Sequence, residues 1–219
     1  MIYIKRFNLA FIKIPKNAST SFSNYLIETL VTAEDTYTFT AGPSFDLTAM
    51  TSQNIPEGYS TESHLTYAQC SALLRPDTLC YGIIRHPLER MLSLYIYRLQ
   101  QHAYGNMLPS VAHFRSLVKN GVFQDFVWQQ AAQTNYLTGA KHKRWMLYDN
   151  LDSEVSWFAK KYNISTNEFP RINSSVGDKQ ALVHKYFDED MIQAILSRYK
   201  QDFELYEELK FARTTRLEN

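Results

Sequence analysis

The residues best suited to chemistry lie near the start of the chain, in the run LAFIKIPKNASTS over residues 9–21. An apolar segment ends at Pro15, Lys16 follows, and small and hydroxyl-bearing residues then lead into apolar residues at helical spacing. This order predicts a buried strand, a tight loop and the first turn of a helix. Such a loop presents unpaired backbone N–H groups and the positive end of a helix dipole. We therefore predict that it binds a phosphate-like group, with help from Lys16, Thr20 and Ser21.

A second candidate for anion binding is Arg85. It follows an apolar run at 78–84 that predicts another buried strand, and Pro87 is typical of the first position of a helix. In open α/β sheets, ligands bind at the carboxyl ends of the strands, which is where this arginine would lie. Arg85 could instead pair with Glu89 across the start of the helix. Ser93, about two turns into that helix, could face the same crevice or simply be a small packing residue.

Other kinds of site are less well supported by the sequence. A Walker A motif needs two glycines, and residues 9–21 contain none, so a nucleotide triphosphatase is the poorer interpretation. The six histidines are scattered without HxxxH or CxxC spacing, so no metal site is predicted. Cys70 and Cys80 are the two cysteines, and we expect a helix and a strand to hold them as ordinary interior residues.

The bulk properties indicate a single globular domain over residues 1–219. A chain of 219 residues is enough for one domain with a real core, or at most two small ones, and 45% apolar with 21% charged residues is ordinary for a soluble protein. The net charge of +1 does not suggest a nucleic-acid partner. No run is long enough to span a membrane, and the amino-terminal segment is too charged for a signal peptide. We therefore expect a soluble, cytoplasmic protein, and its oligomeric state stays open.

The candidate residues must be positioned by alternating strands and helices, which predict an α/β fold with a small parallel sheet flanked by helices. Strands are expected at about 2–5, 9–14, 78–84 and 145–148. Helices are expected at about 19–32, 66–74, from Pro87 onward, 123–132, 153–162 with Asp152 as its cap, and 188–210, the last as one long helix or two. Residues 33–60 are expected to be rich in loops, with one short strand at 37–40. Residues 102–122 are expected to be irregular, and 212–219 to fray.

Three segments together resemble the sulfotransferases that use 3′-phosphoadenosine 5′-phosphosulfate (PAPS). KIPKNASTSF resembles their 5′-phosphosulfate-binding loop, and YGIIRHPLERMLSLY resembles their 3′-phosphate-binding segment. ESHLTY resembles the segment that holds the catalytic base in the heparan sulfate and uronyl 2-O-sulfotransferase branch. The order of the three segments fits as well, and QTNYLTG, INSS and the closing YKQDFELYEEL add further likeness to carbohydrate sulfotransferases.

The resemblance implies a P-loop-like, three-layer α/β/α fold and assigns roles to individual residues. Lys16 would stabilise the charge that develops as the sulfuryl group leaves, and His64 would accept the proton of the acceptor hydroxyl. Arg85 and Ser93 would hold the 3′-phosphate. The 5′ group would be held by the loop residues Asn17, Ala18, Ser19, Thr20 and Ser21. No metal is required.

Several alternatives stay open. Glu62 is a rival base, because other sulfotransferase branches use a glutamate. Asn173, Ser174 and Lys179 lie in a loop that either covers the donor or is merely solvated. His86 stands where the family usually has an acidic residue. Asn17 stands where the closest branch has a threonine, so it lacks that side-chain hydroxyl but keeps the backbone amide.

The predicted activity is sulfuryl transfer from PAPS to a hydroxyl, on a saccharide in the first instance. Protein tyrosine, lipid and small-molecule hydroxyls are open as acceptors. The competing hypotheses are a phosphoryl-transfer enzyme on a related phosphate-binding fold, and a nucleotide-binding protein that has lost its chemistry.

Overall fold

The computed structural model describes residues 1–30, 36–41, 46–51, 64–101, 110–119, 131–164, 169 and 179–217. The chain divides into two compact units. Unit 1 comprises residues 1–84 and 133–173, and unit 2 comprises residues 85–132 and 174–219. The single domain expected from the sequence stays a prediction.

A six-stranded sheet forms the centre of unit 1, in the order β4-β3-β1-β2-β5-β6. Its strands are β1 (Ile2–Ile4), β2 (Leu9–Phe11), β3 (Thr36–Ala41), β4 (Asp46–Thr51), β5 (Leu79–Ile84) and β6 (His142–Leu147). β2, β5 and β6 are parallel, whereas β1, β3 and β4 pair antiparallel. The α/β class is confirmed, and the sheet is mixed rather than wholly parallel.

The helices of the described chain alternate with these strands. They are α1 (Ser19–Thr29), α2 (Tyr67–Cys70), α3 (Pro87–Gln101), α4 (Val111–Lys119), α5 (Leu151–Tyr162), α6 (Lys179–Tyr186), α7 (Glu189–Arg198) and α8 (Lys200–Leu217). α1, α2 and α5 belong to unit 1 with the sheet, and the remaining helices belong to unit 2.

Phe22 of α1 is at the centre of the aromatic packing on one face of the sheet. Its ring lies edge-on to Phe11 of β2 at 4.8 Å and to Phe158 of α5 at 5.4 Å between centroids. All three side chains are fully buried. Edge-to-face aromatic pairs add to the stabilisation that burial supplies, so these contacts fix α1 against β2 and thereby the loop that joins them.

The other face of β5 is covered by a 3₁₀ turn at Gln133–Leu137. The close approach depends on Gly82, because a Cβ at that position would lie 2.9 Å from Cδ1 of Leu137 and 3.0 Å from the ring of Trp145. Both distances are too short for an ordinary contact. Gly82 therefore allows the 3₁₀ turn to pack directly on the strand.

Unit 2 has its own core around Phe114 of α4. The Phe114 ring makes edge-on contacts with Tyr95 of α3, Tyr186 and Phe187, at 4.8, 5.4 and 5.1 Å. Arg90 of α3 is 1% exposed, and its Nη1 donates to the carbonyl oxygen of Ala131 at 3.0 Å. A buried guanidinium bonded to backbone links α3 to the chain that leads out of unit 2.

Several element boundaries differ from expectation. Residues 102–122 contain α4, and 33–60 contain the β3–β4 hairpin rather than a single short strand. Asn150 rather than Asp152 precedes α5, and it makes no side-chain cap. The expected frayed tail is wrong as far as Leu217, where α8 ends. Most of the helix expected at 123–132 lies outside the described residues.

A search of the described helices for a membrane span found none that is both long and apolar enough.

Candidate functional site

The loop between β2 and α1 has a strained backbone. Ile12 continues the pairing beyond β2, with its N–H donating to the carbonyl oxygen of Tyr81 at 2.9 Å. Lys16 and Ala18 then adopt left-handed conformations with φ of 64° and 56°, and α1 begins at Ser19. A left-handed backbone is unfavourable for residues other than glycine and tends to occur where function requires it. The structure thus places a tight, strained loop directly before the amino end of α1.

Side chains along the loop alternate between accessible and buried. Lys16, Ala18 and Thr20 are partly exposed, whereas Asn17, Ser19 and Ser21 are buried. The Ser19 hydroxyl donates to the carbonyl oxygen of Ile14 and so closes the loop. The predicted anion-binding residues therefore form two groups. Lys16 and Thr20 can present their side chains to a ligand, while the buried polar residues support the backbone.

The amide of Asn17 is turned into the protein. Its Nδ2 donates to the carbonyl oxygen of Ile83 at 2.6 Å and to Oε1 of Gln133 at 2.5 Å. Both Asn17 and Gln133 are fully buried. The Asn17 side chain therefore connects the loop to the end of β5 and to the 3₁₀ turn.

His64 lies beside the chain that leads into the same loop. Its Nδ1 is 3.1 Å from the carbonyl oxygen of Lys13, and the ring is partly buried. Because a carbonyl oxygen only accepts, Nδ1 must carry the hydrogen, and the neutral ring then has its lone pair on Nε2. The structure thus brings His64 to the segment that precedes Lys16 and fixes its tautomer.

Arg85 and Ser93, the second predicted anion site, belong to unit 2. Arg85 directly follows β5 and is 4% exposed, and its Nε donates to Oε2 of Glu89 at 3.1 Å. The pairing with Glu89 that the sequence left open is therefore present. Ser93 lies partly exposed on α3.

His86 stands between Arg85 and the first residue of α3. Its ring meets Phe203 and Tyr206 of α8 edge-on, with centroids 5.3 and 5.0 Å apart. The departure from the acidic residue expected at this position thus creates an aromatic contact with α8.

The remaining candidate residues are Lys179, Glu62, Asn173 and Ser174. Lys179 is the first residue of α6. Glu62, Asn173 and Ser174 lie outside the described residues. Within the described ranges, no group of three or more His, Cys, Asp and Glu side chains is placed to hold a metal ion.

Two residues near the loop were missed by sequence analysis. Gln133 had only its place in the QTNYLTG segment to suggest a role, and its partner Asn17 is 116 positions away. Lys13 is 1% exposed within an apolar segment, which is unusual for lysine. Its charge adds to burial in lowering the pKa of the Met1 amino group to about 5. For Lys13, the signal available in the sequence was a charged residue within an otherwise apolar run.

The fold and the loop define the class of protein: an α/β protein with a tight loop of left-handed backbone between a buried strand and the amino end of a helix. The family model described as "Sulfotransferase family" matches residues 1–207, and the chain belongs to that family. A comparison with curated proteins found no match. Membership supports sulfuryl transfer as the chemistry and implies a sulfate donor and a hydroxyl-bearing acceptor.

Proposed function

We propose that the protein transfers a sulfuryl group from PAPS to a hydroxyl group and that the acceptor is a carbohydrate. The proposal rests on the loop at the amino end of α1. There the backbone of Lys16 is in the left-handed region and its side chain is partly exposed. Its position combines a mobile positive charge with the backbone N–H groups and the dipole of a helix start.

The 5′-phosphosulfate of the donor is assigned to this loop. Lys16 and Thr20 would contact it with their side chains, since both are partly exposed. Asn17, Ala18, Ser19 and Ser21 would contribute backbone N–H groups, because three of these side chains are buried and the fourth is a methyl group. The lysine ammonium and the backbone amides all donate hydrogen bonds, which suits an anion that can only accept them.

The 3′-phosphate of the donor is assigned to Arg85 and Ser93. A guanidinium has five N–H donors in a fixed fork that matches phosphate geometry. Glu89 accepts a hydrogen bond from Nε of Arg85. This contact would orient the guanidinium rather than compete with the phosphate for it. Lys179, Asn173 and Ser174 are proposed to add polar contacts to the donor from the segment that leads into α6.

His64 is proposed as the general base, ahead of its rival Glu62. With Nδ1 donating to the Lys13 carbonyl, Nε2 carries the lone pair that would take the proton from the acceptor hydroxyl. A base oriented by a second hydrogen bond is a recurring arrangement at catalytic sites.

The proposed reaction is an in-line displacement at sulfur. The acceptor oxygen forms a bond to sulfur while the bond between sulfur and the bridging oxygen breaks. His64 takes the acceptor proton, and Lys16 stabilises the negative charge that develops on the bridging oxygen. The products are a sulfated acceptor and adenosine 3′,5′-bisphosphate, and no metal ion or ATP enters the balance.

Titration calorimetry with two nucleotides tests the choice of donor. We expect PAPS, or its stable product adenosine 3′,5′-bisphosphate, to bind in the presence of a chelator. ATP with magnesium should bind at least ten times more weakly, by about 1.4 kcal/mol or more. Preference for ATP with magnesium would instead support the phosphoryl-transfer alternative.

A further inference from the structure

We propose that Asn17 and Gln133 form a buried tether that holds Lys16 in its working position, and that neither side chain touches the donor. The inference rests on the proposed function, because it concerns the same loop. It assigns both residues as positioning residues, a role that resemblance to the family did not assign to either.

The first observation is how the Asn17 amide is used. Both of its N–H bonds are engaged, one with the Ile83 carbonyl and one with Oε1 of Gln133. Its Oδ1 is buried and has no hydrogen-bond partner among the described residues. A threonine hydroxyl at this position could donate only one hydrogen bond, so it could not serve both acceptors. Asparagine therefore suits a tether, at the cost of one unsatisfied buried oxygen.

The second observation is how Gln133 reaches the loop. It begins the 3₁₀ turn that packs on β5, and Gly82 makes room for Leu137 at the other end of that turn. The turn is therefore seated directly against the strand whose Ile83 carbonyl also holds Asn17. Both acceptors of the Asn17 amide therefore belong to elements that are packed against each other, β5 and the 3₁₀ turn.

The third observation is the backbone on either side of Asn17. Lys16 and Ala18 are both left-handed, a conformation that each residue would leave if the loop were free to relax. Fixing the residue between them opposes that relaxation. The tether would thus keep the Lys16 side chain directed at the donor.

A double-mutant cycle on PAPS affinity tests the tether. Gln133→Leu removes the acceptor at nearly constant volume, and Gln133→Asn serves if the leucine variant does not fold. We expect the Kd for PAPS to rise about tenfold, the effect typical of losing one hydrogen bond. The Kd is measured by calorimetry at a temperature well below the unfolding transition. In a Lys16→Ala background the same substitution should raise Kd by a clearly smaller factor, because only the loop amides then depend on the tether, while the loss of thermal stability is the same in both backgrounds.

A matched control lies at the other end of the same two strands. Thr78 Oγ1 donates to Oδ1 of Asn8 at 2.7 Å, just before β5 and β2, and Thr78 is 4% exposed. Thr78→Val should lower stability and leave the PAPS affinity unchanged.

The outcomes are separable. Equal loss of PAPS affinity in both backgrounds, or no loss in Gln133→Leu, overturns the tether while the proposed function stands. Failure of the unsubstituted protein to bind PAPS at all overturns the proposed function, and the tether with it.

Discussion

The ring of His64 meets the carbonyl oxygen of Lys13 through Nδ1 at 3.1 Å, three residues before Lys16. Because the carbonyl oxygen only accepts, this hydrogen bond requires the hydrogen on Nδ1, and it helps to orient the ring. It also holds the proposed base against the chain segment that leads to Lys16, the proposed charge stabiliser. The base and the loop are positioned by the same stretch of backbone.

Substitution of His64 separates its structural role from its chemical role. In His64→Asn the side-chain amide can still donate to the Lys13 carbonyl, but the basic nitrogen is gone. We expect kcat to fall by roughly 10²- to 10⁴-fold, the usual contribution of a general base, with PAPS affinity changed less than about twofold. Steady-state rates with an active acceptor and calorimetry with PAPS measure the two effects.

Two controls accompany that variant. His142→Asn, at the exposed start of β6, should leave kcat unchanged. Glu62→Gln should lower kcat by only a few-fold if His64 is the base. A large loss in Glu62→Gln together with a small loss in His64→Asn would reverse the assignment.

The proposed role of Arg85 predicts a loss of discrimination rather than a uniform loss of affinity. The unsubstituted protein should bind adenosine 3′,5′-bisphosphate more tightly than adenosine 5′-monophosphate, by on the order of 10- to 100-fold for a charge-assisted, forked contact. Arg85→Ala should bring the two affinities within about threefold of each other.

Glu89→Gln is the matched variant for Arg85. It keeps the shape of the side chain but weakens the ion pair with Nε. We expect the preference for the 3′-phosphate to fall only a few-fold, since the guanidinium itself remains. A preference unchanged in Arg85→Ala would place the 3′-phosphate elsewhere.

Ala18→Gly tests the strain in the loop. With φ of 56°, Ala18 occupies a region that glycine enters without steric cost. Relief of that cost is opposed by the greater freedom of glycine in the unfolded chain, and we expect a net gain of about 0.5–1 kcal/mol in the free energy of unfolding. Urea denaturation measures it. Ala212→Gly, on α8, should instead destabilise by about 1 kcal/mol or less.

The strand, loop and helix at the start of the chain were predictable because their signals are local. An apolar run, a cluster of small residues and helical spacing all occur within residues 9–30. The antiparallel pairing of β1 with β2 was predictable in principle as well. Only four residues separate Ile4 from Leu9, which is too few for the crossover that parallel strands need.

The support of the loop was not predictable in the same way. The contact between Asn17 and Gln133 joins residues 116 positions apart, so no local pattern contains it. The resemblance placed Asn17 among the donor-binding residues by position. The structure adds that its side chain is buried, a property that depends on how the 3₁₀ turn packs against β5.

The two cysteines predict how stability changes at alkaline pH. Burial raises the pKa of Cys70 to about 11 and, with a smaller contribution from Cys70, that of Cys80 to about 12. Above about pH 9 the unfolded chain loses thiol protons that the folded chain keeps. The stability that these thiols contribute is complete below about pH 9 and is lost as pH rises toward their folded-state pKa values.

Denaturation from about pH 8.5 to 10 measures this effect. The free energy of unfolding should fall by up to about 1.4 kcal/mol per pH unit for each thiol. In the variant carrying Cys70→Ala and Cys80→Ala the slope should be shallower, whatever its starting stability. Equal slopes in the two proteins would show that the thiols titrate alike in the folded and unfolded states.

The most direct test of the account is transfer of labelled sulfate from PAPS to a panel of hydroxyl-bearing acceptors, saccharides first, with a chelator present and ATP absent. We predict a labelled, sulfated product together with adenosine 3′,5′-bisphosphate, and a rate reduced at least about a hundredfold in Lys16→Ala, as for the loss of one group that stabilises developing charge. Tight binding of PAPS with no transfer to any acceptor, or a Lys16→Ala variant as active as the unsubstituted protein, would contradict it.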